Sequence, residues 1–217
     1  MSRTQWRADE TKRDPHAHYS QGVKAVFIHH TDTPNSYDCA DVPRTVRNLY
    51  AGQTRDLRWG DLGYNFLVDK CGTIYEGRAG GADRPVVGSH TLGFNQGTTG
   101  IAAIGTFGRG TPVPAAMERA IAALAAWKLG LSGIDPTSKV RLTSTNDKSL
   151  YSKGISTEFD AVSGHRDGYA TTCPGEALFA RLPAIRNLAA RLQGRSPRTP
   201  SGAGLPTSLL SLQHISR

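Results

Sequence analysis

The run Ala25-Val26-Phe27-Ile28-His29-His30 carries an apolar core segment straight into two imidazoles. Bulky and β-branched residues in succession belong in a buried strand. The polar stretch Thr31-Asp32-Thr33-Pro34 follows and closes the segment. In open α/β sheets the ends of strands are where sites assemble. This short stretch therefore predicts a core strand whose end carries chemistry.

The rest of the chain alternates in kind. Residues 42–53 have apolar positions at helical spacing. Residues 62–69 and 74–78 read as two strands of a hairpin, with Lys70-Cys71-Gly72-Thr73 at the turn. Residues 99–107 form another apolar strand. Residues 114–132, rich in Ala and Leu with Pro114 at the start, form the strongest helix signal. Residues 139–145 make a short strand. Residues 158–168 hold a strand that again ends at a histidine, His165. A last helix runs from Pro174 to Gln193, with an interruption or bend expected at Pro183. Strands alternating with helices predict an α/β domain.

Three segments follow from composition. Residues 1–20 are a polar, extended lead-in packing on the domain, residues 21–194 the domain, and residues 195–217 a Pro/Ser/Gly-rich tail expected to be disordered. With 217 residues the chain can bury a sizeable core. No stretch reaches the roughly 18 apolar residues of a membrane span. The first residues lack the apolar core of a secretion signal, so export would need a leader already removed or another route. The net charge of +8 favours an anionic partner. The basic residues are dispersed and rarely interleaved with aromatics, which argues against nucleic acid.

Of seven histidines, His16, His18 and His214 lie in the polar lead-in and tail and are expected in solvent. His29, His90 and His165 each sit at or beside the end of an apolar segment. Cys173 follows His165 by eight positions, just before Pro174. Two imidazoles and a thiolate make three zinc ligands, leaving a fourth position open as catalytic zinc requires. The spacing is no metal signature by itself. Hydrogen-bonded structural histidines with a buried thiol, or a Cys–His nucleophile pair, fit the same pattern.

Five ordered phrases go further: residues 2–10 (SRTQWRADE), 25–33 (AVFIHHTDT), 61–81 (DLGYNFLVDKCGTIYEGRAGG), 87–107 (VGSHTLGFNQGTTGIAAIGTF) and 163–175 (SGHRDGYATTCPG). In this order they resemble the zinc-dependent N-acetylmuramoyl-L-alanine amidase and peptidoglycan recognition protein family, in its actinobacterial form. The resemblance implies a single zinc amidase domain with a central mixed β-sheet flanked by α-helices. It implies Zn2+ held by His29, His165 and Cys173, and Tyr64 and Thr171 as catalytic helpers. It implies hydrolysis of the amide between the lactyl group of N-acetylmuramic acid and L-alanine by zinc-activated water.

His30, Trp59, Arg78, His90 and Asn95 match groove-lining positions. His30, next to His29 on a strand, is expected to point the other way. Arg78 equally suits a salt bridge with Glu76 that locks the hairpin. Trp59 can stack on substrate or pack its loop. No glutamate near either histidine motif nominates itself as proton acceptor. Two departures matter. Thr171 stands where phage relatives carry lysine, and Ala79-Gly80 stand where recognition proteins carry Gly-Trp, so stem-peptide specificity does not transfer.

The resemblance also favours a Cys39–Cys71 bridge and a secreted or wall-associated monomer, over free thiols in a phage-lysin-type cytoplasmic protein. Peptidoglycan is the implied partner, with anionic wall polymers attracted by the basic charge. A non-cutting recognition module is the main rival. Retention of Cys173 argues for catalysis.

Overall fold

The computed structural model describes residues 1–196. Most of the expected tail, including His214 and the final SLLSLQHISR, lies outside the described residues.

The first strand, β1 (Ala25–His30), is buried along its whole length. It lies between β4 (Thr98–Ala103) and β7 (Val162–Gly164), parallel to both. A parallel strand covered on both faces reads as a continuous apolar run, as this one does. β2 (Phe66–Val68) pairs parallel with β4, and β3 (Ile74–Glu76) pairs antiparallel with β2. The sheet order is β3-β2-β4-β1-β7. It is a mixed sheet, as expected.

Side chains alternate along each strand and sort the core into layers. Val26 and Ile28 of β1 join Ile101, Val162 and residues of α2 (Ala115–Gly130) and α4 (Glu176–Leu192) on one face. Ala25 and Phe27 face the other way, against Phe94, Leu142 and Phe159. On that same face, α1 (Val42–Ala51) packs Val42, Val46 and Tyr50 over Leu67, Ala102 and Ile104. Those three helical residues are spaced four apart, one face of a helix, and Pro43 sits in the first turn where its missing N–H costs nothing. Among the described residues no helix is long and apolar enough to cross a membrane.

Two expectations need correction. The strand expected within residues 158–168 is two strands. β6 (Ser156–Asp160) pairs with β5 (Lys139–Thr143) in a separate hairpin sheet, and β7 belongs to the main sheet. The chain changes sheets at Ala161, whose N–H donates to Ser138 O. Phe159 and Val162 serve different cores, which the local pattern cannot distinguish.

The last helix is not interrupted at Pro183; α4 runs through it. Leu178, Leu182, Ile185 and Ala189 bury a full stripe against α2 and the sheet. Such packing outweighs a penalty of about 3 kcal/mol for an interior proline.

The lead-in is more than an extended strap. Trp6 is fully buried and its Nε1–H donates to Glu76 O at 2.7 Å. Arg3 is buried and donates to the carboxylates of Glu10 and Asp61. Polar residues surround both, so hydropathy alone conceals an anchor. His16 and His18 are exposed. Cys39 and Cys71 are joined, linking the approach to α1 to the β2–β3 turn.

Candidate metal centre

β1 delivers His29 to the carboxyl end of the sheet. β7 ends next to it, and its following residue, His165, opens the short helix α3 (His165–Gly168). Asp167 fixes that entry by accepting a hydrogen bond from Gly164 N at 2.8 Å. The loop after α3 returns Cys173 to β1: His30 N donates to Cys173 Sγ at 3.3 Å. Cys173 N in turn donates to Thr171 Oγ1 at 3.2 Å.

The result is a converging donor set. His29, His165 and Cys173 each offer one ligand atom, and these atoms lie within 4.8 Å of one another. His29 Nδ1 faces Cys173 Sγ at 3.8 Å. His29 is fully buried and Cys173 is 8% exposed. Tyr64 places its ring 5.2 Å from that of His29. Tyr169 stacks on His165 at 5.5 Å with an interplanar angle of 16°.

Burial sets the electrostatics. It pushes the Cys173 thiol up to about 12, against a smaller opposite effect from the His30 N–H. It holds His165 down at about 4, helped by the neighbouring His30. It holds His29 well below the imidazole range, with His165 and His90 adding to the effect. The Tyr64 phenol is raised by burial and then by Cys173, so it stays protonated. His29 and Cys173 are buried and His165 is half-buried, so the three donors meet where little water reaches them. Nitrogen and sulfur donors in this number fit zinc, and three of them with no fourth protein ligand among the described residues is the catalytic pattern.

The groove residues fare differently. Trp59 is 39% exposed and its ring lies over Gly63. Arg78 does not form the salt bridge with Glu76. Its guanidinium donates to Leu62 O at 2.8 Å and Trp59 O at 3.4 Å, bracing the loop before β2. His30 is buried, and its Nδ1 has no hydrogen-bond partner among the described residues.

His90 lies inward, beside His29. It is buried, with Nδ1 3.2 Å from His29 Nε2. Asn95 directs its Oδ1 to the backbone N–H groups of His90 and Thr91, at 2.8 and 2.9 Å, so this oxygen holds a turn. Sequence reasoning missed these inward roles, together with those of Asp167 and Tyr169. The signal available for His90 was its place just after the apolar pair Val86-Val87.

The fold and the cluster define an α/β domain with a partly buried His-His-Cys cluster at a sheet end. The model of the family described as N-acetylmuramoyl-L-alanine amidase matches residues 19–176. The chain belongs to that family. It is 31% identical over 179 residues to the human N-acetylmuramoyl-L-alanine amidase, which covers 81% of this chain and 26% of the relative. It is 36% identical over 118 residues to peptidoglycan-recognition protein LE of Drosophila melanogaster, covering 54% of this chain and 33% of that one. The chain thus spans about a quarter to a third of these two relatives.

Among solved structures, wild-type Drosophila PGRP-LB superposes with a TM-score of 0.65 at 27% identity, covering 85% of this chain and 92% of the other. Peptidoglycan recognition protein LE in complex with tracheal cytotoxin superposes at 0.66 with 28% identity and the same coverage, 85% and 92%.

Proposed function

We propose that this chain is a zinc-dependent amidase that cleaves the bond between the lactyl group of N-acetylmuramic acid and L-alanine of the stem peptide. The observation that carries this reading is the donor set His29, His165 and Cys173, gathered in one cluster with His29 and Cys173 buried. Family membership supports the substrate class.

Zinc, when held by these three residues, supplies a Lewis acid for the scissile carbonyl and lowers the pKa of water. The chain's own groups do the rest. Tyr64 stays protonated beside His29 and can donate a hydrogen bond to the oxygen that gains charge in the transition state. Thr171 accepts the Cys173 N–H with its oxygen, which leaves its hydroxyl proton for an outside acceptor. Trp59, exposed on the loop before β2, offers a face for substrate, and Arg78 holds that loop in place.

A cysteine hydrolase is the weaker reading. A Cys–His pair would use only one of the two imidazoles, whereas His29 and His165 both bring a donor atom to Cys173. A recognition module without catalysis is favoured by one observation, the likeness to a recognition protein solved with tracheal cytotoxin. The Cys39–Cys71 bridge supports an exported protein. The net charge of +8 supports attraction to anionic wall polymers.

The test is zinc content and muropeptide digestion on wild type and Cys173→Ala in parallel. About one zinc per chain, with lactyl–alanine cleavage that disappears in the variant, is the expected result. Zinc without cleavage would turn the reading to recognition. Cleavage that survives chelation would sink the metal mechanism.

A further inference from the structure

We infer that His90 is a positioning residue that fixes the tautomer of His29 and so aims the Nδ1 lone pair of His29 at the metal. The inference rests on the zinc reading of the site.

The proton bookkeeping starts from the backbone. Thr98 Oγ1 lies 2.6 Å from Phe94 O and 3.2 Å from Asn95 O. A carbonyl only accepts, so the single hydroxyl proton of Thr98 points to one of them. The lone pairs of Thr98 are what remains for His90 Nε2, 3.4 Å away. His90 therefore carries its proton on Nε2 and presents Nδ1 as an acceptor. In a neutral imidazole the two roles cannot be shared by one nitrogen.

His90 Nδ1 faces His29 Nε2 at 3.2 Å. His29 must then donate from Nε2, which leaves Nδ1 unprotonated. That Nδ1 is the atom facing Cys173 Sγ. Thr91 Oγ1, 3.0 Å from His90 Nδ1 and 3.5 Å from His29 Nε2, is compatible with this order, since a hydroxyl can donate to one and accept from the other. A backbone carbonyl thus sets the direction of a chain of hydrogen bonds that ends at the metal-facing atom. Histidine ligands generally owe their tautomer to the partner of the other nitrogen. Here that partner is a second histidine.

The slot for His90 is built for a flat ring. A Cβ at Gly100 would overlap the His90 ring at Cγ, and one at Gly88 would come within 2.6 Å of Cδ2. Gly100 lies on β4 opposite Phe27, next to the Ala102–His29 pair. The glycine lets the ring lie against the strand at the height where it meets His29.

The experiment uses the whole chain, histidine-labelled with nitrogen-15, as wild type, His90→Leu and His90→Asn. Leucine fills the slot but accepts nothing; asparagine can place Oδ1 near the former Nδ1. NMR on the zinc-free wild type at neutral pH reads the tautomer directly. The expected result is His29 protonated on Nε2. Protonation on Nδ1 would overturn the inference without any variant.

Zinc affinity, measured by competition with a chelator, is expected to fall about 10- to 100-fold in His90→Leu. It should be largely restored in His90→Asn. An asparagine variant as weak as the leucine variant would show that packing, not the hydrogen bond, is at stake, and would overturn the inference. So would a leucine variant that binds zinc like wild type. A wild type that takes up no zinc would sink the zinc reading itself, while the tautomer measurement would still decide the role of His90.

Discussion

Cys173 Sγ lies 3.8 Å from His29 Nδ1, although 144 residues separate them along the chain. The contact is fixed from the side by His30, whose backbone N–H donates to the same sulfur at 3.3 Å. One strand therefore supplies both a donor atom and the hydrogen bond that orients another.

Tyr64 sits against His29 with its hydroxyl kept protonated by burial. Tyr64→Phe removes only that donor. The expected loss in kcat is on the order of 10²–10³-fold, as for other single oxyanion donors. Zinc content should be unchanged. A variant that keeps full kcat would remove Tyr64 from the chemistry.

The Cys39–Cys71 bridge closes a separation of 32 residues between the approach to α1 and the β2–β3 turn. Replacing both cysteines by serine should lower stability by about 3–4 kcal/mol, the loop-closure value for this length. Urea unfolding of the two proteins would measure it. Equal midpoints would mean that the bridge is energetically idle.

Lys128 of α2 is 1% exposed and donates to Ala82 O and Arg84 O at 2.8 and 2.9 Å. Burial lowers its pKa to about 8, partly offset by Asp83. The unfolded chain holds that proton up to about pH 10.5. Between these values the unfolded state binds more protons than the folded one, so folding stability gains as pH rises. Below about pH 8 the burial penalty is fully present. The stability of wild type relative to Lys128→Met should therefore climb from pH 8 to pH 10.5 and be flat below. Denaturant unfolding across that range checks it. A difference independent of pH would show that Lys128 titrates normally.

Trp6 fills a core position from the polar N-terminal segment and donates to Glu76 O. Trp6→Ala should cost about 3–5 kcal/mol, the usual range for emptying a buried aromatic site. Thermal melting would show it. A change under 1 kcal/mol, the scale of a surface substitution, would mean that the segment is loosely attached.

Much of this was legible beforehand. Val26, Phe27 and Ile28 marked β1 because a strand covered on both faces must be apolar at every position. Val42, Val46 and Tyr50 marked the inner face of α1 by their spacing. His29, His165 and Cys173 were candidates by side-chain type, and only the family resemblance singled them out as a ligand set. Trp6 was hidden in a run of charges, since its burial is created by α1 and Leu67, far away in sequence. Pro183 read as a break because the local penalty is visible and the compensating core contacts are not.

The sequence by itself determined most of the strands and helices and offered His and Cys as candidate donors, because periodicity and side-chain chemistry are local properties. Tertiary structure alone decided which groups meet. It placed His90 against His29, since two parallel strands and the Gly100 slot set that distance. It turned Arg78 from Glu76 to the carbonyls of Leu62 and Trp59. It split one expected strand between two sheets at Ala161. In each case the deciding partner came from a distant segment, and a hydrogen bond or a packed ring depends on positions in space that no local pattern encodes.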